Sequence, residues 1–399
     1  MASHGVKDKV AIVGMGCTRF GERWESSADD MLVDATEECF ASTPQIRKED
    51  VDAYWLGTLS SGQSGLVLSQ PLGIDYKPVT RVENFCATGS EAFRNACYAV
   101  ASGAYDVVMA VGVEKLKDSG YSGLATGRGR DGDGTDPMAT QTAPAAFSLL
   151  DPAYCQKYGV DRQDMRDAMT HVAWKNHANG ALNPRAQFQA EVPKEKIAAG
   201  AGKVAGRLGV FDCSGVSDGA ACALIVRAEE AHEYTDRPMY VKALSMVAGP
   251  ASGPIDPSYD YTTFHEVTRC AQDAYHQADV TKPREQVSMA EVHDCFTPTE
   301  LVLMEDLGFS ERGSAWRDEL EGEFNLEGSL PVNPDGGLKS FGHPIGASGL
   351  RMLFECWLQF RGEAGDRQLT DPQLGMTHNL GGRPGGCVSF ISIVGAERG

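Results

Sequence analysis

An internal repeat constrains the fold of this chain more than any other feature. Cys86 and His343 open two short motifs, Cys-Ala-Thr-Gly and His-Pro-Ile-Gly, each with a glycine three residues later and an arginine eight residues later. Each motif leads into a predicted helix and then into a predicted strand, at 106–113 and at 388–394. Repetition at matching offsets predicts two duplicated halves. Under that duplication, Cys86 and His343 are pseudo-symmetry mates that face each other across one cleft.

The hydrophobic pattern predicts alternating strands and helices. Apolar runs predict strands at 10–15, 106–113, 220–228 and 238–247, and helical spacing predicts helices at 27–40, 90–102, 161–178 and 262–278. The glycine-rich run at 127–134 is incompatible with regular structure and indicates an insertion. We therefore predict an N-terminal half at 1–114 and 208–232, an inserted lid or loop domain at 115–207, and a C-terminal half at 233–399.

Charge and composition exclude several classes of protein. A net charge of −19 over 399 residues repels polyanions, so we expect neither a nucleic-acid partner nor an anionic membrane partner. No apolar run approaches the length of a membrane span, and the first one, Val10 to Met15, is too short for the apolar part of a signal peptide. Eleven cysteines without paired spacing argue against a disulfide framework and a metal site, and favour a cytoplasmic location. The Gly14-Met15-Gly16 run lacks the third glycine of a dinucleotide-binding fingerprint.

One segment of the chain is basic, in contrast to the acidic remainder. Its basic residues are the candidates for binding a small anionic ligand, and a solvated basic face is the equally weighted alternative. They are Lys175, Arg185, Lys194, Lys196, Lys203 and Arg207.

Cys86 is the candidate nucleophile. It lies between the extended segment 78–85 and the helix predicted at 90–102, where unpaired N–H groups and the helix dipole favour a thiolate. His343 is the best-placed base, because the glycine and proline around it permit close approach and fix the backbone. The alternative is that Cys86 is a small buried apolar residue.

Two further motifs supply candidate polar groups. His293 and Cys295 follow the strand signal at 290–292, and Thr297 or Thr299 is predicted to cap the next helix. Their order and spacing exclude a Cys-x-x-His metal motif, and a core histidine is the alternative. The glycine-rich segment 378–386 is predicted to be a loop whose N–H groups form an oxyanion hole, with a plain hairpin as the alternative.

Together, these motifs resemble the thiolases, specifically the sterol carrier protein-type branch. The resemblance runs from about residue 10 to 395 and rests on four ordered motifs: Asn84-Phe-Cys-Ala-Thr-Gly89, His293-Asp-Cys-Phe296, Gly342-His-Pro-Ile-Gly-Ala-Ser-Gly349 and His378-Asn-Leu-Gly381. It implies an α/β thiolase fold with two duplicated βαβαβαββ halves in a five-layered αβαβα arrangement and an inserted lid domain. Asn379 stands where other thiolases have a second cysteine, as this branch permits. Cys387, further on, is interpreted as structural.

The resemblance also implies the chemistry. Cys86 attacks the ketone carbon of a 3-oxoacyl-CoA with His343 as base, giving an acyl-enzyme, and Cys295 is the second acid/base. His293 and His343 bind the oxygen of the enolate, while the N–H groups of Cys86 and Gly381 bind the oxygen at the carbon under attack. Coenzyme A or acetyl-CoA is a substrate, and no cofactor is permanently bound.

Ser245 falls where thiolases have a serine that touches the pantetheine arm. The resemblance further implies a homodimer or a dimer of dimers that pairs through the core sheet. Two alternatives stay open: a retro-aldolase on the same fold, and an acyltransferase subunit that works with an OB-fold partner carrying a zinc ribbon. Related lyases dispense with the nucleophilic cysteine, so the presence of Cys86 favours acyl transfer.

Overall fold

The computed structural model describes residues 4–119, 142–253 and 256–399. The strands are β1 (Val10–Cys17), β2 (Ala53–Gly57), β3 (Val79–Val82), β4 (Val107–Lys115), β5 (Asp218–Arg227), β6 (Met239–Ala248), β7 (Met289–Glu291), β8 (Leu374–Arg383) and β9 (Gly386–Gly395). The helices are α1 (Ala28–Ser42), α2 (Leu66–Leu72), α3 (Thr88–Ala101), α4 (Ala143–Phe147), α5 (Leu150–Tyr158), α6 (Arg162–Ala181), α7 (Lys194–Ala199), α8 (His265–Ala278), α9 (Pro283–Gln286), α10 (Thr297–Asp306), α11 (Ala315–Leu320), α12 (Gly337–Ser340) and α13 (Ile345–Arg361).

The strand order shows the duplication directly. The sheet runs β3-β2-β4-β5-β1-β6-β9-β8-β7, so the order β2-β4-β5-β1 is mirrored by β7-β8-β9-β6. β3 pairs in parallel with β2, and in the second half the matching position is a single parallel bridge between Ala290 and Val332. The halves join where Ala11 and Ile12 of β1 pair with β6.

The helices form layers on and between the two halves of the sheet. α1 packs on β1 and β5 at one face, and α8 packs on β6 and β9 at the other. α3 and α13 pack on each other in the middle, against β4 and β5 of the first half and, through α13, β8 of the second. Separate buried apolar clusters fill the spaces between these layers. The predicted five-layered α/β architecture is therefore confirmed.

Glycines allow the two central helices to approach closely. A Cβ on Gly89 of α3 would lie 2.5 Å from the carbonyl oxygen of Gly346 in α13, and one on Gly112 of β4 would lie still closer to the same oxygen. These distances are too short for any side chain. The glycine of each repeat motif is thus needed where the N-terminal turns of α3 and α13 meet, and this crossing brings Cys86 and His343 to one place.

Most of the predicted elements are present within one to four residues of their predicted bounds, and two local predictions are wrong. The segment 378–386 is not a loop: it forms the end of β8, a tight turn and the start of β9, which is the hairpin given as the alternative. No threonine caps α10; Thr297 instead donates to Asp212 at 2.8 Å. The glycine-rich run at 127–134 lies outside the described residues, and the predicted domain boundaries stay a prediction.

The basic segment does not form a single anion pocket, and of its six residues only Lys196 and Lys203 are exposed to solvent. Lys175 is buried against Glu300 and Glu319, and Arg185 pairs with Glu38. Arg207 contacts Asp151, while Lys194 and Lys196 lie over the rings of Trp174 and Phe211, at 4.5 and 5.6 Å from the ring centroids. In the described part of the chain, no helix is both long and apolar enough to cross a membrane.

Candidate active site

Three of the predicted catalytic side chains converge. The Cys86 sulfur and one ring nitrogen each of His293 and His343 all lie within 4.8 Å of one another. The two imidazole rings are nearly perpendicular, with centroids 5.3 Å apart. Cys86 comes from the turn before α3, His343 from the turn before α13 and His293 from the end of β7. The duplicated fold therefore gathers these groups from both halves.

The turn that carries Cys86 is tight and conformationally unusual. Phe85 has φ +49°, a conformation that costs energy for a bulky residue, and its side chain is 56% exposed. Thr88 closes the turn, because its hydroxyl donates to the Phe85 carbonyl at 2.5 Å and accepts the Asn84 N–H at 2.9 Å. The conformation turns the chain sharply from β3 into α3 and presents Cys86 at the junction.

Burial sets the protonation state of Cys86. Desolvation raises the pKa of its thiol to about 12, with nearby Glu83 adding to the shift, although the backbone N–H groups oppose it. The expected stabilisation of the thiolate by the start of α3 is therefore outweighed. In the resting protein Cys86 is a thiol, and it needs a base when it attacks.

The contacts of His343 define which of its nitrogens can act as that base. Nδ1 lies 2.7 Å from the hydroxyl oxygen of Ser348, and this hydroxyl donates to the Pro344 carbonyl at 3.0 Å. Because the serine proton is used there, its oxygen accepts the proton on Nδ1, which leaves Nε2 with a free lone pair. Nε2 has no hydrogen-bond partner among the described residues. Burial, together with the charge of Arg351, lowers the pKa of His343 to about 3, so the imidazole is neutral.

The backbone of His343 is also fixed. Its N–H donates to the Ser217 hydroxyl at 2.9 Å, and that hydroxyl donates to Gln187 at 2.5 Å. The preceding Gly342 has φ +119°, and a Cβ there would lie 2.4 Å from the same hydroxyl oxygen. Only glycine fits this position, which explains the glycine directly before the histidine of this motif.

His293 and Cys295 are held in place by the hydrogen bonds of Asp294, the residue between them in the sequence. The Asp294 carboxylate accepts the N–H groups of Leu338 and Lys339, at 2.6 and 3.2 Å, and an amide N–H of Asn176 at 2.8 Å. Burial is the main cause that lowers the pKa of His293 well below its usual value, so this imidazole is neutral too.

Cys295 lies in the same buried site. Burial raises the pKa of its thiol well above the usual value, and the nearby Cys86 sulfur adds to the shift. The Cys295 sulfur lies 3.9 Å from the Thr299 hydroxyl oxygen. Cys295 is therefore a protonated thiol in the resting protein, with its proton available for donation.

Gly381 of β8 lies against the turn that carries Cys86. A Cβ there would be 2.6 Å from the carbonyl oxygen of Asn84 and 3.2 Å from the nitrogen of Cys86. Asn379, two residues earlier, is fully buried, and its side-chain oxygen accepts the Ser90 hydroxyl at 2.6 Å. The backbone of Gly381 therefore lies next to that of Cys86, and the pairing of their N–H groups in an oxyanion hole stays a prediction.

Two other predicted residues, Ser245 and Cys387, are bonded within the protein. Ser245 of β6 is buried, and its hydroxyl donates to Asp273 of α8 at 2.7 Å. This bond satisfies the hydroxyl within the protein, so the contact of Ser245 with a pantetheine arm stays a prediction. Cys387 lies in β9 as predicted, and its thiol donates to the Arg383 carbonyl at 2.7 Å. Burial raises the pKa of this thiol well above its usual value, and Cys295 and Cys86 are close enough for their charges to add to the shift.

A groove of about 1,220 Å³ lies beside the site. Its floor includes the segment 213–216, which is tied to the catalytic motifs: the Ser214 N–H donates to the Cys295 carbonyl at 2.8 Å, and Val216 bridges to His343. Arg19, Arg23 and Lys117 lie along it. The groove brings solvent and basic side chains to the backbone that supports the catalytic residues.

Sequence reasoning missed the residues that orient the imidazoles. Ser348 lies inside the motif 342–349 quoted for the resemblance, and Arg351 is the arginine of the second repeat, so the sequence carried a signal for both. Ser217 lies in the turn segment directly before β5. Cys86, His293 and His343 are also close enough together to reach one metal ion. The metal-free centre predicted from the sequence therefore stays a prediction.

Comparisons with known proteins agree with this geometry. Residues 10–204 match the family described as "Thiolase, N-terminal domain", and residues 254–391 match "Thiolase C-terminal domain-like". An acetyl-CoA acetyltransferase of Methanothermobacter thermautotrophicus is 36% identical over 94% of this chain and 97% of its own length. Sterol carrier protein 2 of Homo sapiens is 30% identical over 94% of this chain and 70% of its own length.

The fold also matches a solved structure. The structure described as the Ltp2-ChsH2(DUF35) aldolase superposes with a TM-score of 0.84 at 22% identity, covering 98% of this chain and 99% of that one. On the family matches, the near-complete coverage of the acetyl-CoA acetyltransferase relative and the convergence of the catalytic motifs, this chain belongs to the thiolase family of acyltransferases.

Proposed function

We propose that the protein catalyses the reversible thiolytic cleavage of a 3-oxoacyl-CoA, or in reverse the Claisen condensation with acetyl-CoA, through an acyl group on Cys86. The observation that supports this most directly is the placement of the Cys86 thiol beside a neutral His343 whose Nε2 lone pair is free. A thiol and a neutral imidazole form a resting pair without buried charge. Proton transfer then accompanies attack instead of preceding it.

The first half-reaction follows from that pair. His343 Nε2 takes the proton of the Cys86 thiol while the sulfur attacks the ketone carbon, and the negative charge moves to the ketone oxygen. The N–H groups of Cys86 and Gly381 stabilise that oxygen. The carbon-carbon bond then breaks, which leaves the acyl group on Cys86 and releases the electron pair to the enolate of acetyl-CoA.

Cys295 completes this half-reaction by protonating the enolate carbon, with His293 and His343 donating to the enolate oxygen. Its raised pKa suits the task, because a weakly acidic thiol keeps its proton until a strong carbon base appears beside it. In the second half-reaction the Cys295 thiolate takes the proton of the coenzyme A thiol as that sulfur attacks the acyl carbon. Cys86 then leaves, and His343 returns its proton to the Cys86 sulfur, which restores the resting state. In the condensation direction, Cys295 removes the proton from acetyl-CoA. Coenzyme A thus acts as substrate, and a permanently bound cofactor has no step in this scheme.

Intact-mass measurement tests the proposal. Incubation with acetoacetyl-CoA should add one acetyl group to the wild-type protein and none to Cys86→Ala. Cys387→Ala, which removes another buried thiol, is the matched control and should still be acetylated. Absence of the adduct on the wild-type protein, or its persistence in Cys86→Ala, would contradict the assignment.

A retro-aldolase is the second candidate, because the matched aldolase shares the fold. The same mass experiment separates the two, since a retro-aldolase needs no acyl-cysteine. The matched aldolase is described as Ltp2 together with ChsH2(DUF35), which supports the possibility of a partner subunit, predicted here as an OB-fold protein with a zinc ribbon. Activity that appears only after addition of such a subunit would establish the dependence.

For the oligomeric state we propose a homodimer, or a dimer of dimers, that forms at the β3 edge of the sheet. β3 has a partner strand on only one side, and Leu66, Tyr76 and Phe85 are exposed apolar side chains in the segments next to it. Exposed apolar residues beside an unpaired edge are typical of a protein interface. Light scattering should give twice or four times the mass of the chain, and Val79→Pro, which removes an N–H that faces the open edge of β3, should shift it towards the monomer.

A further inference from the structure

Arg351 of α13 is a fully buried cation beside the site. Its Nη1 donates to the carboxylates of Glu291 and Asp335, each at 2.5 Å, and both carboxylates are fully buried. Its guanidinium lies 5.2 Å from the centroid of the Phe341 ring. Nε and Nη2 have no hydrogen-bond partner among the described residues.

Each residue that contacts the Arg351 guanidinium either lies two residues before a catalytic histidine or is hydrogen-bonded to a segment that holds one in place. Glu291 is the last residue of β7, two residues before His293, and Phe341 lies two residues before His343. Asp335 accepts the N–H of Gly337 at 2.8 Å, at the start of α12, and the N–H groups of that helix bind Asp294. Arg351 thus cross-links the backbone on both sides of the two imidazoles.

The corresponding arginine of the first half has no such role. Arg94 pairs within α3 with Glu91 at 2.7 Å, and its side chain is 23% exposed. Of the two repeat arginines, Arg351 is therefore the one with a long-range, fully buried arrangement, and it lies in the half that supplies the base. A buried ion pair loses the hydration of its charges, so it is weak evidence for a contribution to stability. The two bonds of Arg351 are better explained by the positions that they fix.

We infer that Arg351 is a positioning residue: its two bonds to Glu291 and Asp335 hold His293 and His343 at the separation that Cys86 chemistry requires. The inference rests on the proposed function, since that function assigns the roles to the imidazoles. Arg351 itself does not touch substrate. Both bonds come from one nitrogen, Nη1, whose direction is fixed by the planar guanidinium, whereas a lysine ammonium on a flexible stem restores the charge without that fixed direction.

Charged and titratable groups face this cluster from every element packed around it. Besides the three members of the cluster they are Cys17 of β1, Glu355 and Cys356 of α13, and His293, Asp294 and His343 of the site.

Two readouts test the inference in Arg351→Met and Arg351→Lys. The first is steady-state kinetics with acetoacetyl-CoA and coenzyme A. The second needs no substrate: it is the rate at which iodoacetamide alkylates Cys86, followed by peptide mass from pH 6 to 9. Arg367→Met is the matched control, because Arg367 is also buried and pairs with a carboxylate, Glu355 at 3.0 Å, which faces the same cluster but bonds to Arg367 and Gln359 rather than to Arg351.

We expect kcat to fall about 100-fold in Arg351→Met, the effect of a misplacement of about 1 Å, with KM changed less than about threefold. Arg351→Lys should recover part of the loss. Alkylation of Cys86 should become slower and dependent on pH, because a displaced His343 no longer takes the thiol proton. Arg367→Met should lower the melting temperature but leave kcat and the alkylation profile unchanged.

Two results would overturn the inference. One is a wild-type kcat and a wild-type alkylation rate in Arg351→Lys. The other is a loss of kcat and of alkylation in Arg351→Met that Arg367→Met reproduces. If Arg351→Met does not fold, Arg351→Lys alone decides, because an unchanged kcat refutes the inference and a reduced kcat with an altered alkylation profile supports it. A wild-type protein that is never acylated would refute the proposed function, while the alkylation comparison would still test Arg351.

Discussion

Removal of the Ser348 hydroxyl tests the tautomer on which the proposed base depends. The structure gives this hydroxyl two bonds, one accepted from His343 Nδ1 at 2.7 Å and one donated to the Pro344 carbonyl at 3.0 Å. Ser348→Ala leaves Nδ1–H without a partner in a fully buried site. The preference for the proton on Nδ1 then falls by the net value of one hydrogen bond, about 1 to 1.5 kcal/mol.

A change of this size corresponds to a five- to tenfold slower acylation, since about 1.4 kcal/mol is a factor of ten in rate. The assay is single-turnover acylation of Cys86 by acetoacetyl-CoA, with product quantified by intact mass. Ser392→Ala is the control: Ser392 is also a buried hydroxyl, bonded to Thr377 at 2.7 Å, in β9. Wild-type acylation in a folded Ser348→Ala protein would refute the reasoning, because Nε2 would then be available without the serine.

Three other substitutions test separate parts of the site. Gly381→Ala should lower kcat by about 100- to 1,000-fold in steady-state assays, because its Cβ would displace the turn that holds Cys86 and disrupt the oxyanion hole. Cys387→Ser should keep kcat within about twofold, since a serine hydroxyl can donate to the same Arg383 carbonyl and the residue has no step in the reaction. Alkylation of Cys86 should be nearly independent of pH from 6 to 9 in the wild type, where His343 accepts the proton. In His343→Asn it should rise about tenfold per pH unit, because a thiol of pKa about 12 then loses its proton only to solvent; a flat profile in this variant would contradict the pairing.

The position of the catalytic residues could be predicted because each lies at the boundary of a regular element. Cys86 and His343 precede helices with a glycine at the same offset, and the crossing of α3 and α13 at those glycines makes the two residues neighbours. His293 follows a strand, and parallel strands deliver such residues to one edge of a sheet. Periodicity and turn residues were sufficient for this level of structure.

The local predictions that the structure contradicts were wrong for identifiable physical reasons. The segment 378–386 was predicted to be a loop because its glycines hide the alternation of a strand, yet pairing with β9 along its full length overrides local preference. Thr297 was predicted to cap α10, but a buried carboxylate, Asp212, takes its hydroxyl instead. Lys175 looked like part of a basic surface, and its two acidic partners lie more than a hundred residues away. Long-range contacts decided these three outcomes.

The pKa of Cys86 shows a further limit, because competing effects decide its sign. The start of a helix favours a thiolate, and burial disfavours it; only the three-dimensional surroundings show that burial dominates. The same burial keeps His293 and His343 neutral. All three groups are therefore uncharged before substrate binds, whereas Arg351 and its carboxylates place charge one layer behind them. This arrangement is suited to a reaction in which negative charge develops on a substrate oxygen. Fixed N–H donors can then stabilise that oxygen, because the resting site holds no thiolate that would compete for them.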